Sequence, residues 1–308
     1  MQSNVHCGRF APSPSGRLHL GNVLCALLAY LSAKSTGGKV LLRIEDIDTA
    51  RCAGDRVPQM IEDLQWLGFH WDDGEQPAAY QSNRTSIYEH YFNVLKDMGL
   101  VYPCYCTRAE LHVASAPHGS DGQMVYDGRC KGLVDPPPNR RPAWRVMVPK
   151  ETIAVSDGLQ GVYREQLARD CGDFLLRRSD GVYAYQLAVV VDDALSGVTQ
   201  VVRGRDLLSS TPRQLYLYRL LGFEPPRFYH IPLLLRADGT RLAKRDGALD
   251  LGALRERFSS PDEIIGVLAY NVGLLERFRP VSVEQLIPLF DWGKVKKKDI
   301  FLQNCGVL

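Results

Sequence analysis

The chain has almost no net charge, no long apolar run and no regular framework of cysteines. Its 37 basic and 35 acidic residues leave a formal charge of +2, so charge neither requires nor excludes a nucleic-acid partner. No stretch is apolar enough to span a bilayer, and the first residues lack the basic and apolar regions of a signal peptide. No internal repeat or low-complexity tract is visible. We therefore expect a cytoplasmic protein with no membrane partner.

The eight cysteines are spread over 308 residues without paired spacings, which favours thiols and a metal site over disulfides. With 45% apolar residues, the chain can bury a full hydrophobic core. These features predict one large domain, with or without a small appendage.

The most informative stretch is residues 9–22, with the sequence Arg-Phe-Ala-Pro-Ser-Pro-Ser-Gly-Arg-Leu-His-Leu-Gly-Asn. It lies between a short strand pattern and apolar residues with helical spacing. His19, Gly21 and Asn22 fall in the first helical turn, where free backbone N–H groups and the helix dipole attract phosphate. The stretch predicts a nucleotide site. An ordinary strand-to-helix turn is the alternative, because the spacing matches neither a Walker loop nor a GxGxxG fingerprint.

A second strand pattern at residues 39–44 completes a β-α-β unit, which predicts a doubly wound parallel sheet. This strand leads directly into Glu45-Asp46-Ile47-Asp48. Acidic residues at the carboxyl end of such a strand lie on the ligand-binding edge of the sheet. A solvated turn that caps the next helix is the alternative.

The rest of the chain continues to alternate between strand and helix patterns. Residues 183–193 form a continuous valine-rich run, which predicts a parallel strand buried on both faces. Thr211-Pro212 predicts a helix start, with a capping hydroxyl and proline at the first position. The other patterns are helices at 56–68, 83–99, from Thr211 to near Gly222 and over the last sixty or so residues, and strands at 143–148, 201–206 and 228–235.

Cys104 and Cys106 precede a stretch rich in glycine, proline and serine, and Cys130 follows it. Three cysteines in two nearby segments predict a structural zinc knuckle, because thiolates are the preferred ligands of a closed tetrahedral site. Buried thiols in a loop-rich insertion are the alternative. Chemistry alone nominates His112 or His118 as the fourth ligand.

Two basic segments are compatible with solvated surface. Arg241-Leu242-Ala243-Lys244-Arg245 follows a turn signal at residues 237–239, and a lysine cluster spans residues 294–298. For the lysine cluster at residues 294–298, a contact with RNA is the alternative to solvated surface.

Residues 8–22 resemble the first signature of class I aminoacyl-tRNA synthetases, with His19-Leu20-Gly21-Asn22 at the place of His-x-Gly-His. Residues 9–16 are similar to the glutamyl branch in particular. Residues 43–48 resemble the Arg-x-Glu-Asp-Thr-Asp element of that branch, with Ile47 in place of Thr.

The resemblance continues to about Leu289. Tyr185 and Arg203 match the second wall of the glutamate pocket. Residues 241–245 resemble the Lys-Met-Ser-Lys-Ser signature, with Arg241 for the first lysine and Ala243 for the central serine. Ala243 removes a hydroxyl from the phosphate loop, and Arg241 keeps the positive charge with a planar guanidinium in place of an ammonium group.

The resemblance implies an α/β protein with a Rossmann-type doubly wound parallel sheet, an inserted zinc-containing subdomain and a small C-terminal helical cap. The implied division is residues 1–100 for the first half of the catalytic domain, 101–180 for the insertion, 181–245 for the second half and 246–308 for the cap.

The implied site residues fall into three groups. Those for glutamate are Arg9, Ala11, Ser13, Glu45, Tyr185 and Arg203. Those for ATP with its Mg²⁺ are His19, Gly21, Asn22, Arg241 and Lys244, of which His19, Asn22 and Lys244 would be catalytic. The implied ligands of one Zn²⁺ are Cys104, Cys106, Tyr126 and Cys130.

The implied reaction joins L-glutamate to ATP as glutamyl-adenylate. Discriminating members of the branch continue past the last signature into a helical anticodon-binding region, whereas about sixty residues remain here. Short paralogues transfer glutamate to queuosine in the anticodon loop of tRNA(Asp), and we expect that activity, without tRNA in the activation step, in a monomer. The alternatives are a glutamate ligase for another tRNA or carrier, and an inactive regulatory paralogue.

Overall fold

The computed structural model describes residues 6–49, 52, 56–73, 79–107, 109–111, 125–236, 238–240 and 250–301. In these residues the helices are α1 (Leu20–Lys34), α2 (Arg56–Trp66), α3 (Thr85–Asp97), α4 (Leu167–Asp170), α5 (Tyr185–Leu195), α6 (Thr211–Leu220), α7 (Leu251–Arg257), α8 (Pro261–Val272) and α9 (Val283–Leu286). The strands are β1 (Cys7–Phe10), β2 (Lys39–Ile44), β3 (Ala79–Tyr80), β4 (Val101–Cys104), β5 (Ala143–Val146), β6 (Thr152–Asp157), β7 (Gly161–Gln166), β8 (Phe174–Arg177), β9 (Gln200–Gly204), β10 (Arg227–Ile231), β11 (Leu234–Leu235) and β12 (Ile300–Phe301).

The central layer is built from parallel strands, as the sequence predicts. Strands β1, β2 and β3 are neighbours in that order, and β9 pairs with β10 in parallel. Strand β9 also lies beside β1, where the Thr199 N–H donates to the Cys7 carbonyl at 2.9 Å. The strands therefore run β3-β2-β1-β9-β10, so the chain reverses direction of winding between β1 and β9. Ligands of doubly wound sheets bind at such a switch point.

Helix α1 is the centre of the main hydrophobic core. Its apolar residues at helical spacing are buried, and Leu27, Leu28 and Leu31 are fully buried. Helices α8 and α9 pack into the same core through Ile265 and Val283. The C-terminal helices therefore share the hydrophobic core of the main sheet.

The predicted strand at residues 183–193 is wrong, because most of this segment is helix α5 (Tyr185–Leu195). Residues 187–193 are buried, so the helix has no exposed face over two turns. A helix buried all round and a strand buried on both faces both read as a continuous apolar run, so periodicity cannot distinguish them. The tertiary environment overrides the β preference of valine.

Two further expectations need correction. The predicted strand at 228–235 divides into β10 and β11, with Pro232 between them. Thr211 is the first residue of α6 and makes no capping bond, because a 3₁₀ helix at Arg205–Ser210 leads into it. Its hydroxyl instead accepts a hydrogen bond from Arg203 Nη2 at 2.8 Å.

Residues 101–180 contribute to two sheets. Strands β4, β5 and β8 form an antiparallel sheet in that order, while β6 and β7 form a hairpin that extends the main sheet beyond β10. The junction places Asp157 beside Phe228 in parallel register. The end of β6 thus lies next to the strand that contains His230.

Among the described residues, no helix combines the length and apolarity needed to cross a membrane. The seven cysteines in these residues are all free thiols.

Candidate active site

A cavity of about 500 Å³ opens at the carboxyl edge of the parallel sheet, between the start of α1, the end of β2, the start of α5 and the end of β9. Nine residues implied by the sequence line it together: Arg9, Ala11, Ser13, His19, Gly21, Asn22, Glu45, Tyr185 and Arg203. The fold therefore gathers side chains that are up to 194 positions apart in sequence, from Arg9 to Arg203, at one point.

The N-terminus of α1 is closed by its own side chains. His19 caps the helix, and its Nδ1 accepts the Gly21 N–H at 3.1 Å, while Asn22 Oδ1 accepts the His19 N–H at 3.1 Å. The Gly21 N–H is therefore occupied by the His19 cap, although Gly21 lines the cavity. A Cβ at position 21 would lie 3.0 Å from the His19 ring, so the close cap favours glycine here.

The loop before α1 is fixed to the end of β2. The Glu45 N–H donates to the Pro12 carbonyl at 3.0 Å, which holds the first loop against the acidic end of β2. Glu45 lines the cavity, and burial raises the pKa of its carboxyl group, against the opposing effect of Arg43 and Arg9. A bound cation at this position would favour the ionised carboxylate.

Arg9 is anchored from behind by Asp193. Arg9 Nε donates to the two carboxylate oxygens at 3.2 and 3.4 Å, and Nη1 donates to the Val202 carbonyl at 3.3 Å. Asp193 also accepts from Arg43 Nη1 at 2.6 Å, and Arg43 Nη2 donates to Glu45 at 3.2 Å. Among the described residues, Arg9 Nη2 has no acceptor, so this amino group is available to a ligand.

The sequence analysis did not assign a role to Arg43 or Asp193. Both side chains are buried, with exposed fractions of 3% and 4%. Burial works to raise the pKa of Asp193, but Arg43 and Arg9 outweigh it and hold that pKa below its ordinary value. The signal available in the sequence was an aspartate pair inside an apolar run, since a buried charge requires a partner.

Arg203 forms the opposite wall of the cavity. Its Nη1 donates to the Tyr185 hydroxyl at 3.4 Å, and its Nη2 contacts Thr211 Oγ1 at 2.8 Å and the Leu207 carbonyl at 3.4 Å. Tyr185 and Arg203, the two residues of the implied second wall, thus lie side by side in the cavity lining. Arg203 Nε donates to His230 Nε2 at 3.0 Å, a contact that the sequence did not indicate.

The basic segment at residues 241–245, with Arg241, Ala243 and Lys244, lies outside the described residues. On the C-terminal side of this segment, Asp250 forms a β-bridge with His19, and the Leu251 N–H donates to the Leu18 carbonyl at 2.8 Å. Asp250 therefore lies beside the N-terminus of α1.

The structure also brings three cysteines together, as predicted. The sulfur atoms of Cys104, Cys106 and Cys130 all lie within 4.8 Å of one another. Sulfur ligands about 2.3 Å from a tetrahedral zinc lie about 3.8 Å apart, so the cluster has the size of a metal site. His112 and His118, the alternative fourth ligands, lie outside the described residues.

Tyr126 is the fourth polar group of the cluster. Its hydroxyl lies 3.4 Å from Cys104 Sγ and accepts the Cys130 N–H at 3.0 Å. Burial raises the pKa of this hydroxyl, so a metal ion would have to displace its proton. The donor set of three thiols and one phenol therefore fits a divalent metal with sulfur preference.

Comparison with known proteins gives the same family from sequence and from structure. Residues 5–265 match the family model described as tRNA synthetases class I (E and Q), catalytic domain. The chain is 48% identical to the glutamyl-Q tRNA(Asp) synthetase of Symbiobacterium thermophilum, over 96% of this chain and 95% of that protein. It is 46% identical to the protein of the same name from Deinococcus radiodurans, over 94% and 96% of the two chains.

Two solved structures of glutamate-specific enzymes have the same fold. The glutamate-tRNA synthetase of Elizabethkingia anophelis superposes with a TM-score of 0.82 at 28% identity, over 96% of this chain and 68% of that one. The glutamate tRNA ligase of Elizabethkingia meningosepticum, in complex with its amino acid, gives 0.82 and 28% over 97% and 67%. The chain is therefore a ligase that belongs to the class I tRNA synthetases of the E and Q group and, within them, to the glutamyl-Q tRNA(Asp) synthetase family.

Proposed function

We propose that this protein activates L-glutamate with ATP in the absence of tRNA and transfers it to queuosine in the anticodon loop of tRNA(Asp). The observation that carries the activation step is the shared cavity, where two anchored guanidiniums and one carboxylate meet the N-terminus of α1. The acceptor is supported by the names of relatives that are 46–48% identical over more than 90% of this chain.

The cavity has the charges that a free amino acid with an acidic side chain requires. Arg9 and Arg203 hold the carboxylates of glutamate through charge-assisted hydrogen bonds. The Nη2 group of Arg9 is available for this contact, since Asp193 accepts from Nε and the Val202 carbonyl accepts from Nη1. Glu45 accepts the ammonium group, which lowers the cost of keeping its buried carboxylate ionised.

In the activation step, the α-carboxylate oxygen of glutamate attacks the α-phosphorus of ATP in line. A new O–P bond forms, the bond to pyrophosphate breaks, and glutamyl-adenylate results. Such a transfer depends on positioning and charge neutralisation, so a protein nucleophile is unnecessary. We assign the ATP contacts to His19, Gly21, Asn22, Arg241 and Lys244, and Mg²⁺ bound with ATP would neutralise part of the phosphate charge.

His19 has the correct tautomer for this role. Its Nδ1 accepts the Gly21 N–H, so the neutral ring carries its proton on Nε2. That N–H is the donor we assign to the phosphates. In the transfer step, a hydroxyl of queuosine attacks the acyl carbon, the bond to AMP breaks, and the hydroxyl proton leaves with AMP or to solvent.

The cysteine cluster holds one structural Zn²⁺ in this proposal, with Cys104, Cys106, Cys130 and Tyr126 as ligands. The ion would join the end of β4 to the segment at residues 126–130. Purified protein should contain about one zinc, and Cys104→Ser should lower both the zinc content and the melting temperature. Tyr126→Phe with unchanged zinc content would assign the fourth position to another ligand. Metal-free protein prepared without chelators would contradict the zinc assignment.

The decisive experiment separates activation from acceptor choice. Glutamate-dependent exchange of pyrophosphate into ATP is measured first without any RNA, and we expect exchange at full rate. Transfer of labelled glutamate is then measured to an isolated tRNA(Asp) anticodon stem-loop with queuosine, and to the matched stem-loop with guanosine. We expect an ester only on the first RNA.

Two results would contradict the proposal. Exchange that requires whole tRNA, or an ester that forms only when the 3′ adenosine of the tRNA is intact, would indicate a conventional glutamyl-tRNA synthetase. A complete lack of exchange, with glutamate binding retained, would indicate a regulatory paralogue.

A further inference from the structure

Arg203 is held from behind by two residues that do not line the cavity. His230 on β10 accepts the Arg203 Nε–H at 3.0 Å, and its Nδ1 lies 2.6 Å from Asp157 Oδ2 at the end of β6. The side chains of His230 and Asp157 are both 0% exposed. The three side chains form a buried row that begins in the β6-β7 hairpin and ends at the cavity.

The hydrogen-bond chemistry allows only one arrangement of protons along this row. An arginine Nε always donates, because the guanidinium does not lose its proton in proteins. His230 Nε2 must therefore accept, which places the imidazole proton on Nδ1, where it is donated to Asp157. Asp157 in turn accepts the backbone N–H groups of Leu159 and Gln160 at 3.0 and 2.8 Å.

The remaining contacts of Arg203 fix the plane of the guanidinium. Thr211 Oγ1 and the Leu207 carbonyl accept from Nη2, so Nε and Nη2 are both occupied by buried acceptors. Nη1 donates to the Tyr185 hydroxyl at 3.4 Å, and both residues line the cavity. Removal of the His230 acceptor would release Nε and leave the guanidinium held through Nη2, so the group could tilt away from its present plane.

We infer that His230 and Asp157 are positioning residues, which hold Arg203 in the one orientation that presents Nη1 to a substrate carboxylate. The inference rests on the proposed glutamate site. Asp157 acts through His230 by fixing its tautomer, and His230 acts on Arg203 directly. A purely structural alternative is that the pair only ties the β6-β7 hairpin to β10.

Two variants at one position separate these roles. His230→Asn places an amide near Nδ1, so it keeps a donor for Asp157 and loses the acceptor for Arg203. His230→Gln places an amide oxygen near Nε2, so it keeps the acceptor for Arg203 and loses the Asp157 contact. His230→Asn loses the contacts of Nε2 with Arg203 Nε at 3.0 Å and Thr211 Oγ1 at 3.2 Å, and His230→Gln loses the contact of Nδ1 with Asp157 at 2.6 Å. Both melting temperatures should therefore fall.

We expect His230→Asn to raise the KM for glutamate by about 10-fold to 100-fold in pyrophosphate exchange, the cost of one misplaced charged contact. The KM for ATP should stay within about threefold, and His230→Gln should recover most of the glutamate KM. Equal glutamate KM values in the two variants, or a parallel rise for ATP, would overturn the positioning role and leave the structural one.

A second measurement does not depend on catalysis and needs only one folded variant at position 230. Nitrogen-15 spectra of histidine-labelled wild-type protein should show one neutral histidine with its proton on Nδ1, and that signal should be missing in whichever variant at position 230 folds. A proton on Nε2 would overturn the inference. Wild-type protein that shows this tautomer but no exchange would instead contradict the proposed function alone.

Discussion

The most demanding test of the electrostatic arrangement is Asp193→Asn, which keeps the size of the side chain and removes its charge. Asp193 is 4% exposed and is shared by Arg43 at 2.6 Å and Arg9 at 3.2 Å. Both guanidiniums donate to Asp193 Oδ1, and Arg9 Nε also donates to Oδ2 at 3.4 Å. An asparagine oxygen at Oδ1 can still accept from both but carries no charge, and its amide nitrogen in place of Oδ2 meets the Arg9 donor with like polarity.

The expected cost follows from the two lost or weakened contacts. A hydrogen bond to a charged group contributes about 1.5–3 kcal/mol, so two contacts give about 3–6 kcal/mol. The direct value for removal of one partner of a buried ion pair is about 3–5 kcal/mol. We therefore expect the free energy of unfolding to fall by about 3–5 kcal/mol, measured by denaturant titration.

The matched control is Glu151→Gln, which removes the same charge from an exposed pair with Arg219. Their side chains are 53% and 58% exposed, so the loss should stay below about 1 kcal/mol. Asp193→Asn should also raise the KM for glutamate, because Arg9 loses the anchor behind it. A stability loss no larger than that of the control, with an unchanged glutamate KM, would refute the assigned role of Asp193.

Three further predictions follow from the same geometry. Arg9→Ala and Arg203→Ala should each weaken glutamate binding by about 2–5 kcal/mol in calorimetry and leave ATP affinity nearly constant, and an unchanged glutamate affinity in both would remove them from the pocket. Lys244→Ala should lower the rate of pyrophosphate exchange by a factor of about 10²–10³. Ala243→Ser should leave that rate within about threefold of wild type. Equal exchange rates for Lys244→Ala and wild type would show that the lysine does not stabilise the transition state. Burial lowers the pKa of His230 from 6.5, against the opposing hydrogen bond to Asp157, so the unfolded state binds a proton below about pH 6.5 that the folded state does not. The free energy of unfolding should therefore decrease as pH falls below that value, and His230→Gln should show a shallower decrease in the same titration.

Local chemistry was sufficient to locate the first half of the site. The helical spacing after residue 20 and the strand at 39–44 depend only on neighbours in sequence, and both are confirmed in α1 and β2. The cysteine cluster was also readable, because Cys104, Cys106 and Cys130 are close enough in sequence to suggest one site. Resemblance to the glutamyl branch then supplied Tyr126, whose hydroxyl lies beside Cys104.

The error at residues 183–193 shows the limit of periodicity. The spacing of apolar residues distinguishes a helix from a strand only when one face of the element is exposed. Helix α5 has no exposed face over residues 187–193. The same burial hid Asp192 and Asp193, which looked like the end of a strand. In the structure they lie on a helix whose aspartates pair with arginines from distant segments.

The sequence by itself determined the α/β class, the loop and helix that begin the site, the cluster of three cysteines and the family. Only the tertiary structure decided how the arginines are held. Asp193 meets Arg9 across 184 positions and Asp157 meets His230 across 73, and neither pairing leaves a periodic signal along the chain. Both pairings arise because a buried charged or polar group is unfavourable without a hydrogen-bond partner. The packing of the sheet decides which residue lies close enough to be that partner.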